Sequence, residues 1–288
     1  LADFQPAAGV ANIQGKICLD QWGGDYQEAA RGIELAARYG LTDAVFVKHV
    51  WQRWGYDYRL PDIYPPAGNV DQFQAMVAAC RRHGILFCPH DNYIDFYPDA
   101  EGYSYDHIIF NADGTPQLAW FNKGRQAQSY RWLPTAFQPW LERNLQLVKT
   151  HIAPTSYFVD VFSAMPPVDF RDRAGRFYPK TVCAERWGAA FDRIRTVLGD
   201  NAPMISEAGH DALIGHLDAA QSDHMGWIPG QWRFAWGLEA GDAATHDDVV
   251  GHAGAFERTV QGVRNLRAAG IHTHTNTTIN ARNRHALH

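Results

Sequence analysis

Tyr157-Phe158-Val159-Asp160-Val161-Phe162 is the stretch on which the fold turns. It is short, aromatic and β-branched, which suits a strand buried on both faces. An Asp inside such a strand must be paired or used, because an isolated buried carboxylate is costly. Pro203-Met204-Ile205-Ser206-Glu207 repeats the arrangement, with Glu207 at its end. Working outward, Tyr26 to Tyr39 reads as a helix stopped by Gly40, and Ala44-Val45-Phe46-Val47 follows as a strand. Val70, Phe73, Met76, Val77 and Cys80 make one helical face ending at Gly84, before the strand Ile85-Leu86-Phe87-Cys88. Helical patterns at Trp140 to Lys149 and Trp187 to Leu198 precede the runs at Tyr157 and Met204. A further one through Phe256, Val260 and Val263 precedes Ile271-His272-Thr273-His274. Ile17-Cys18-Leu19 reads as a first strand and Ala219 to Ser222 as a weak one.

Helix, glycine and strand in alternation imply βαβ crossovers and a parallel sheet. At 288 residues the expected class is α/β, a (β/α)₈ TIM-type barrel spanning 1–288 as one catalytic domain or as a piece of a larger protein. Closure is expected to be irregular, because Asn276 to His288 is polar and does not read as a closing helix. An open doubly wound sheet is the second choice.

Composition narrows the function. A net charge of −5 without a basic stripe argues against nucleic acid. No apolar run reaches the length of a membrane span. No glycine-rich nucleotide motif is present, and neither a cofactor nor a metal is expected. The four cysteines form no CxxC pair and read mostly as reduced core thiols. The 10 Trp and 12 Tyr, many in polar segments, suit the apolar faces of sugar rings as well as a large core.

In a parallel barrel the C-terminal strand ends open on one face, where the active site lies. Polar residues recur there. The second strand leads to Lys48, His49, Trp51, Gly55-Tyr56-Asp57 and Pro61-Asp62. The third leads to His90-Asp91-Asn92, Asp95 and Tyr97-Pro98. Later units supply Asp160, then Glu207 with His210 and Asp211, then Asp223 and His224. Any one of these can be a solvated loop residue; the recurrence points to a site. Two carboxylates closing different strands are what glycosidic bond cleavage requires.

These motifs resemble the endo-α-N-acetylgalactosaminidase type of retaining glycoside hydrolases. His90-Asp91-Asn92-Tyr93-Ile94-Asp95-Phe96-Tyr97-Pro98 resembles that group's His-x-Asn-x-x-acid-x-Tyr-Pro loop. Lys48, Gly55-Tyr56-Asp57 and Pro61-Asp62 are similar to its preceding elements, with Tyr56 where His is usual. The resemblance runs from Val45 to Glu207 and departs at Phe162 and at Glu207-Ala208-Gly209, where relatives carry Trp and Glu-Trp-Gly. It implies Asp160 as nucleophile and Glu207 as acid/base, acting on an α-linked galactose-like or N-acetylgalactosamine-like unit of a carbohydrate or glycoconjugate. It further implies substrate-binding roles for Lys48, Asp57, His90, Asn92, Asp95, Tyr97, Trp132 and Asp223. Lys48 or His90 is expected to keep Asp160 ionised, and aromatic side chains to desolvate Glu207. Asp57 reads equally as a turn residue. Trp120, Trp132, Trp227, Trp232 and Trp236 are candidate stacking platforms. Two other readings stay open: a metal-dependent amidohydrolase-type barrel, resting on His272-x-His274 with His90, His210, His224 and Asp223, and a carbohydrate-binding barrel without turnover.

Overall fold

The computed structural model describes residues 6–56, 58–199, 201–221, 243–250 and 253–268. The chain separates into two compact units, 1–224 and 225–288. In chain order the first unit runs α1 (Val10–Ile13), β1 (Ile17–Gln21), α2 (Tyr26–Arg38), β2 (Ala44–Lys48), α3 (Val70–Arg82) and β3 (Leu86–Asp91). It continues with β4 (Asp95–Phe96), β5 (Leu118–Asn122), β6 (Ala127–Arg131), α4 (Gln138–His151) and β7 (Tyr157–Val159). The hairpin β8 (Phe170–Arg171) and β9 (Phe177–Tyr178), α5 (Lys180–Leu198), β10 (Met204–Glu207) and β11 (Ala219–Gln221) complete it. The second unit contributes α6 (Ala243–Val250) and α7 (Ala255–Ala268).

Local chemistry sets the punctuation. The Asp25 carboxylate caps α2 by accepting from the Gln27 and Glu28 amides at 2.6 and 3.2 Å. Asn69 caps α3 through the Gln72 amide at 3.1 Å. Gly40 and Gly84 take φ of 78° and 67° just beyond these helices, a conformation that glycine adopts without a Cβ clash.

Six strands form one parallel sheet in the order β1-β2-β3-β7-β10-β11. It is a curled half-barrel, so among the described residues the expected eight-stranded closure is not reached. The expected strand at Ile271 to His274 lies outside the described residues. Both sheet faces are covered. Phe46, Phe87, Tyr157 and Met204 pack with Ile33 of α2, Phe73 and Met76 of α3, Leu145 of α4 and Phe191 of α5. Val45, Val47, Cys88, Phe158 and Ile205 make a separate apolar cluster on the concave face. All four cysteines are free, and Cys80, Cys88 and Cys183 are buried. An antiparallel three-stranded insert, ordered β4-β6-β5, stands between β3 and α4.

Candidate active site

Side chains alternate between faces along a strand. Cys18, Val47, Cys88, Phe158, Ile205 and Ala219 belong to the concave cluster or pack against it. Two residues further along each chain stand Asp20, His49, His90, Asp160, Glu207 and Gln221. The apolar floor of the half-barrel thus gives way, one layer up, to a ring of polar groups. Ring contacts mark the junction, with His90 and His49 centred 4.9 and 5.4 Å from Phe158.

Parallel pairing aligns Ser206 with Val159, so Glu207 and Asp160 follow as the next residues of adjacent strands. Ligand atoms of His90, Asp160 and Glu207 all lie within 4.8 Å of one another. The backbone turns sharply just beyond these positions. Val50, Val161 and Ala208, each directly after His49, Asp160 and Glu207, have φ of 51°, 64° and 49°. Left-handed geometry at a non-glycine residue costs about 1–2 kcal/mol and persists where surrounding structure enforces it.

Asp160 is 2% exposed and surrounded by donors. The Asn92 amide donates to its Oδ2 at 2.8 Å, and the Tyr56 hydroxyl donates to the same oxygen. His90 Nε2 stands 3.2 Å from Oδ1. Burial pushes this carboxyl up, but the charge and hydrogen bonding of His90, with hydrogen bonds from Tyr56 and Glu207, outweigh burial and hold it down at about 2. Asp160 is therefore a carboxylate across the ordinary pH range. Glu207 is 5% exposed.

Asn92 is itself held. Its Oδ1 accepts from the Ile94 and Asp95 amides at 2.7 and 2.9 Å, and its Nδ2 also donates to Asp95 Oδ2 at 2.9 Å. Asp95 in turn accepts from Ser129 Oγ at 2.7 Å and the Trp120 amide at 2.9 Å. Burial raises the Asp95 carboxyl, opposed by these donors. Trp120 is 58% exposed at the edge of the insert.

No protein-family profile and no curated protein sequence matches the chain. Solved structures match its fold. A ligand-free α-N-acetylgalactosaminidase from Bifidobacterium bifidum has a TM-score of 0.64 at 20% identity, covering 79% of this chain and 42% of that one. An α-galactosidase from Thermus thermophilus in complex with p-nitrophenyl α-D-galactopyranoside has a TM-score of 0.52 at 18% identity, covering 72% and 41%. A cycloalternan-degrading enzyme from Trueperella pyogenes has a TM-score of 0.53 at 16% identity, covering 75% and 35%. The chain therefore shares a fold with these glycoside hydrolases and spans about two fifths or less of their length.

The other expected residues divide. Lys48 lies one position out of phase with the polar ring. It is fully buried, donates to the Gly23 carbonyl and faces the Tyr26 ring of α2 at 5.9 Å, and burial lowers it to about 8 against the pull of Asp20. Asp160 takes its donors instead from Tyr56, Asn92 and His90. Trp132 is stacked on Phe96 at 4.0 Å and buried among aromatic rings, so its faces pack in the core. Tyr97 is buried beneath Arg125. Asp57, Asp223, His224, His272, His274, Trp227, Trp232 and Trp236 lie outside the described residues. His210 is turned to backbone, with Nε2 at 3.2 Å from the Phe162 carbonyl and Nδ1 accepting from the Ala212 amide.

Asp20 and Gln221 join the site without having been named for it, and Tyr56 and His49, named at the end of the second strand, gain definite partners. Tyr56 binds Asp160. His49 stacks under Trp22 at 3.8 Å and pairs with Asp20 at 2.7 Å, and Gln221 donates to Asp20 at 2.5 Å. Burial, then the charge of His90, lowers His49 to about 4, so it is neutral near neutral pH despite Asp20. Counting two residues beyond the concave apolar positions Cys18 and Ala219 would have found Asp20 and Gln221.

Proposed function

We propose that this chain is the catalytic core of a retaining glycoside hydrolase acting on an α-linked galactose-like or N-acetylgalactosamine-like unit. The observation that carries the proposal is the pairing of Asp160 and Glu207 at the ends of adjacent strands, within 4.8 Å of each other and of His90. Retaining enzymes hold their carboxyl groups about 5–5.5 Å apart, whereas inverting ones need room for a water. In this reading Asp160, held ionised by its donors, attacks the anomeric carbon. Glu207 protonates the leaving oxygen and then takes a proton from the incoming water. Asn92 and Tyr56 fix the orientation of Asp160. The α preference and the sugar come from the resemblance in motifs, supported by the shared fold.

The same three side chains favour a second reading. One imidazole and two carboxylates converging this closely could ligate a divalent cation, in which case Asp160 and Glu207 would be ligands rather than reactants. One experiment separates the two. A panel of aryl α- and β-glycosides is assayed with the wild type, with Asp160→Ala and with EDTA. The proposal expects turnover of an α-glycoside, its loss in Asp160→Ala, and indifference to EDTA. Full activity in Asp160→Ala removes the nucleophile assignment, and loss with EDTA favours the cation.

A further inference from the structure

We propose that residues 53–56 and 58–59, with the turn at 123–126, form a binding subsite for an anionic sugar unit, bearing a carboxylate or a sulfate, beside the Asp160 site. The inference rests on the reading that this mouth accepts carbohydrate. In sequence the loop reads Arg53-Trp54-Gly55-Tyr56-Asp57-Tyr58-Arg59, and Tyr56 at its centre donates to Asp160. Its flanks carry the unusual chemistry. The guanidinium carbons of Arg53 and Arg59 stand 4.6 and 4.7 Å from the Trp54 ring centroid. Arg125, from the turn between β5 and β6, stands 5.2 Å over Tyr58 and 5.3 Å over Tyr97. Trp54 and Tyr58 are 41% and 40% exposed. A guanidinium stacked on a ring keeps its N–H donors in its own plane, available to an anion.

Among the described residues the cations outnumber their partners. Arg59 and Arg125 share one oxygen, Oδ2 of Asp99. Arg53 has no ion pair among the described residues. Arg125 Nη1 is buried and meets no acceptor there. A buried donor without a partner costs about 1–3 kcal/mol, so an acceptor supplied by a ligand is the chemistry that relieves it. By sequence the two segments carry four basic residues, Arg53, Arg59, Lys123 and Arg125, against one acid, Asp57, an excess of positive charge in a chain of net charge −5. The turn with Arg125 joins β5, whose Trp120 amide is held by Asp95 in the Asn92 network, so both flanks tie directly to the site. Guanidinium groups layered over exposed rings match a sugar carrying an acid, since the acid takes bidentate N–H donors lying in the guanidinium planes.

Calorimetric titration tests this with a chondroitin sulfate hexasaccharide, a hyaluronan hexasaccharide and neutral maltohexaose. Wild type should bind an anionic probe at least tenfold more tightly than maltohexaose. Arg53→Gln/Arg125→Gln should abolish about tenfold of that preference. Binding of hyaluronan as tight as that of the sulfated probe means a carboxylate suffices; preference for chondroitin sulfate means the sulfate is read. The control Arg81→Gln/Arg82→Gln removes two charges where α3 ends, before the N-terminal end of β3, and should bind as wild type. Arg53→Gln alone, at an exposed position without an ion pair, gives a threefold or greater loss even if the double variant misfolds. Equal binding of all three probes, unchanged binding in Arg53→Gln, or an equal loss in the control variant would overturn the subsite. Aryl glycoside turnover, which involves no anionic unit, reports on the catalytic reading independently.

Discussion

Nδ2 of Asn92 lies 2.8 Å from Oδ2 of Asp160 and 2.9 Å from Oδ2 of Asp95. One amide thus ties together two buried carboxylates on different strands. Its orientation is fixed, because its own oxygen accepts from two backbone amides. Asn92→Ala would leave both carboxylates short of a donor in a site from which water is largely excluded. Stability should fall by about 2–4 kcal/mol in urea titrations, and turnover by about 10–100-fold. A variant with unchanged stability would mean that the network is looser than these distances imply.

Tyr56 is predicted to tune Asp160. Its hydroxyl donates to the carboxylate and so favours the charged form that attack requires. Tyr56→Phe removes that donor, which raises the carboxyl of Asp160 toward its ordinary 3.8. The acidic limb of the kcat/KM profile should therefore move to higher pH, by about one unit, while the alkaline limb stays in place. Tyr56→His can still donate and should recover most of the shift. An unmoved acidic limb in Tyr56→Phe would show that another donor governs Asp160.

The left-handed backbone after Glu207 gives a stability prediction. Ala208 holds φ at 49°, where a Cβ is strained and glycine is not. Ala208→Gly should raise stability by about 0.5–1 kcal/mol in denaturant titration, after the entropy that glycine brings to the unfolded chain. The freed backbone beside Glu207 should at the same time lower turnover a few-fold, the exchange expected where strain serves a site. Lower stability in Ala208→Gly would mean that the Ala208 methyl packs more than it strains.

These residues also show where the sequence was readable. The parallel sheet was legible because strands such as β2 and β7, buried on both faces, leave continuous apolar runs, and because glycine closes the preceding helices. Asp160 and Glu207 were legible for the same reason, as carboxylates where burial forbids them without a purpose. The insert β4-β5-β6 was not, because its strands are short or half exposed, and the apolar run Leu118 to Phe121 lies mostly in solvent at the insert's edge instead of in a core. Lys48 and His49 adjoin in sequence yet face opposite sides, and only the phase of the strand separates them: Val47 lies on the concave face, so His49 does too and Lys48 does not. For Trp132 the sequence is silent on its partner, because a tryptophan near a strand end reads alike whether it stacks on sugar or, as here, on Phe96.

The closeness of Asp160 and Glu207 predicts the stereochemical course. If Asp160 forms a covalent glycosyl-enzyme, proton NMR of the first-formed product of an α-glycoside should show the α-anomer before mutarotation. Asp160→Gly should lose on the order of 10⁴ in turnover. Azide, filling the space vacated by the side chain, should restore part of it by one direct displacement and yield the β-glycosyl azide. Glu207→Gln should behave differently. Loss of the general acid costs about 10²–10⁴ with a poor leaving group, and much less at the first step with a nitrophenolate, which needs little protonation. In that variant azide should speed release of the α-glycosyl azide from the intermediate. A β-anomer as first product from wild type would point instead to direct attack by water, with the two carboxyls further apart in the working enzyme than in this structure.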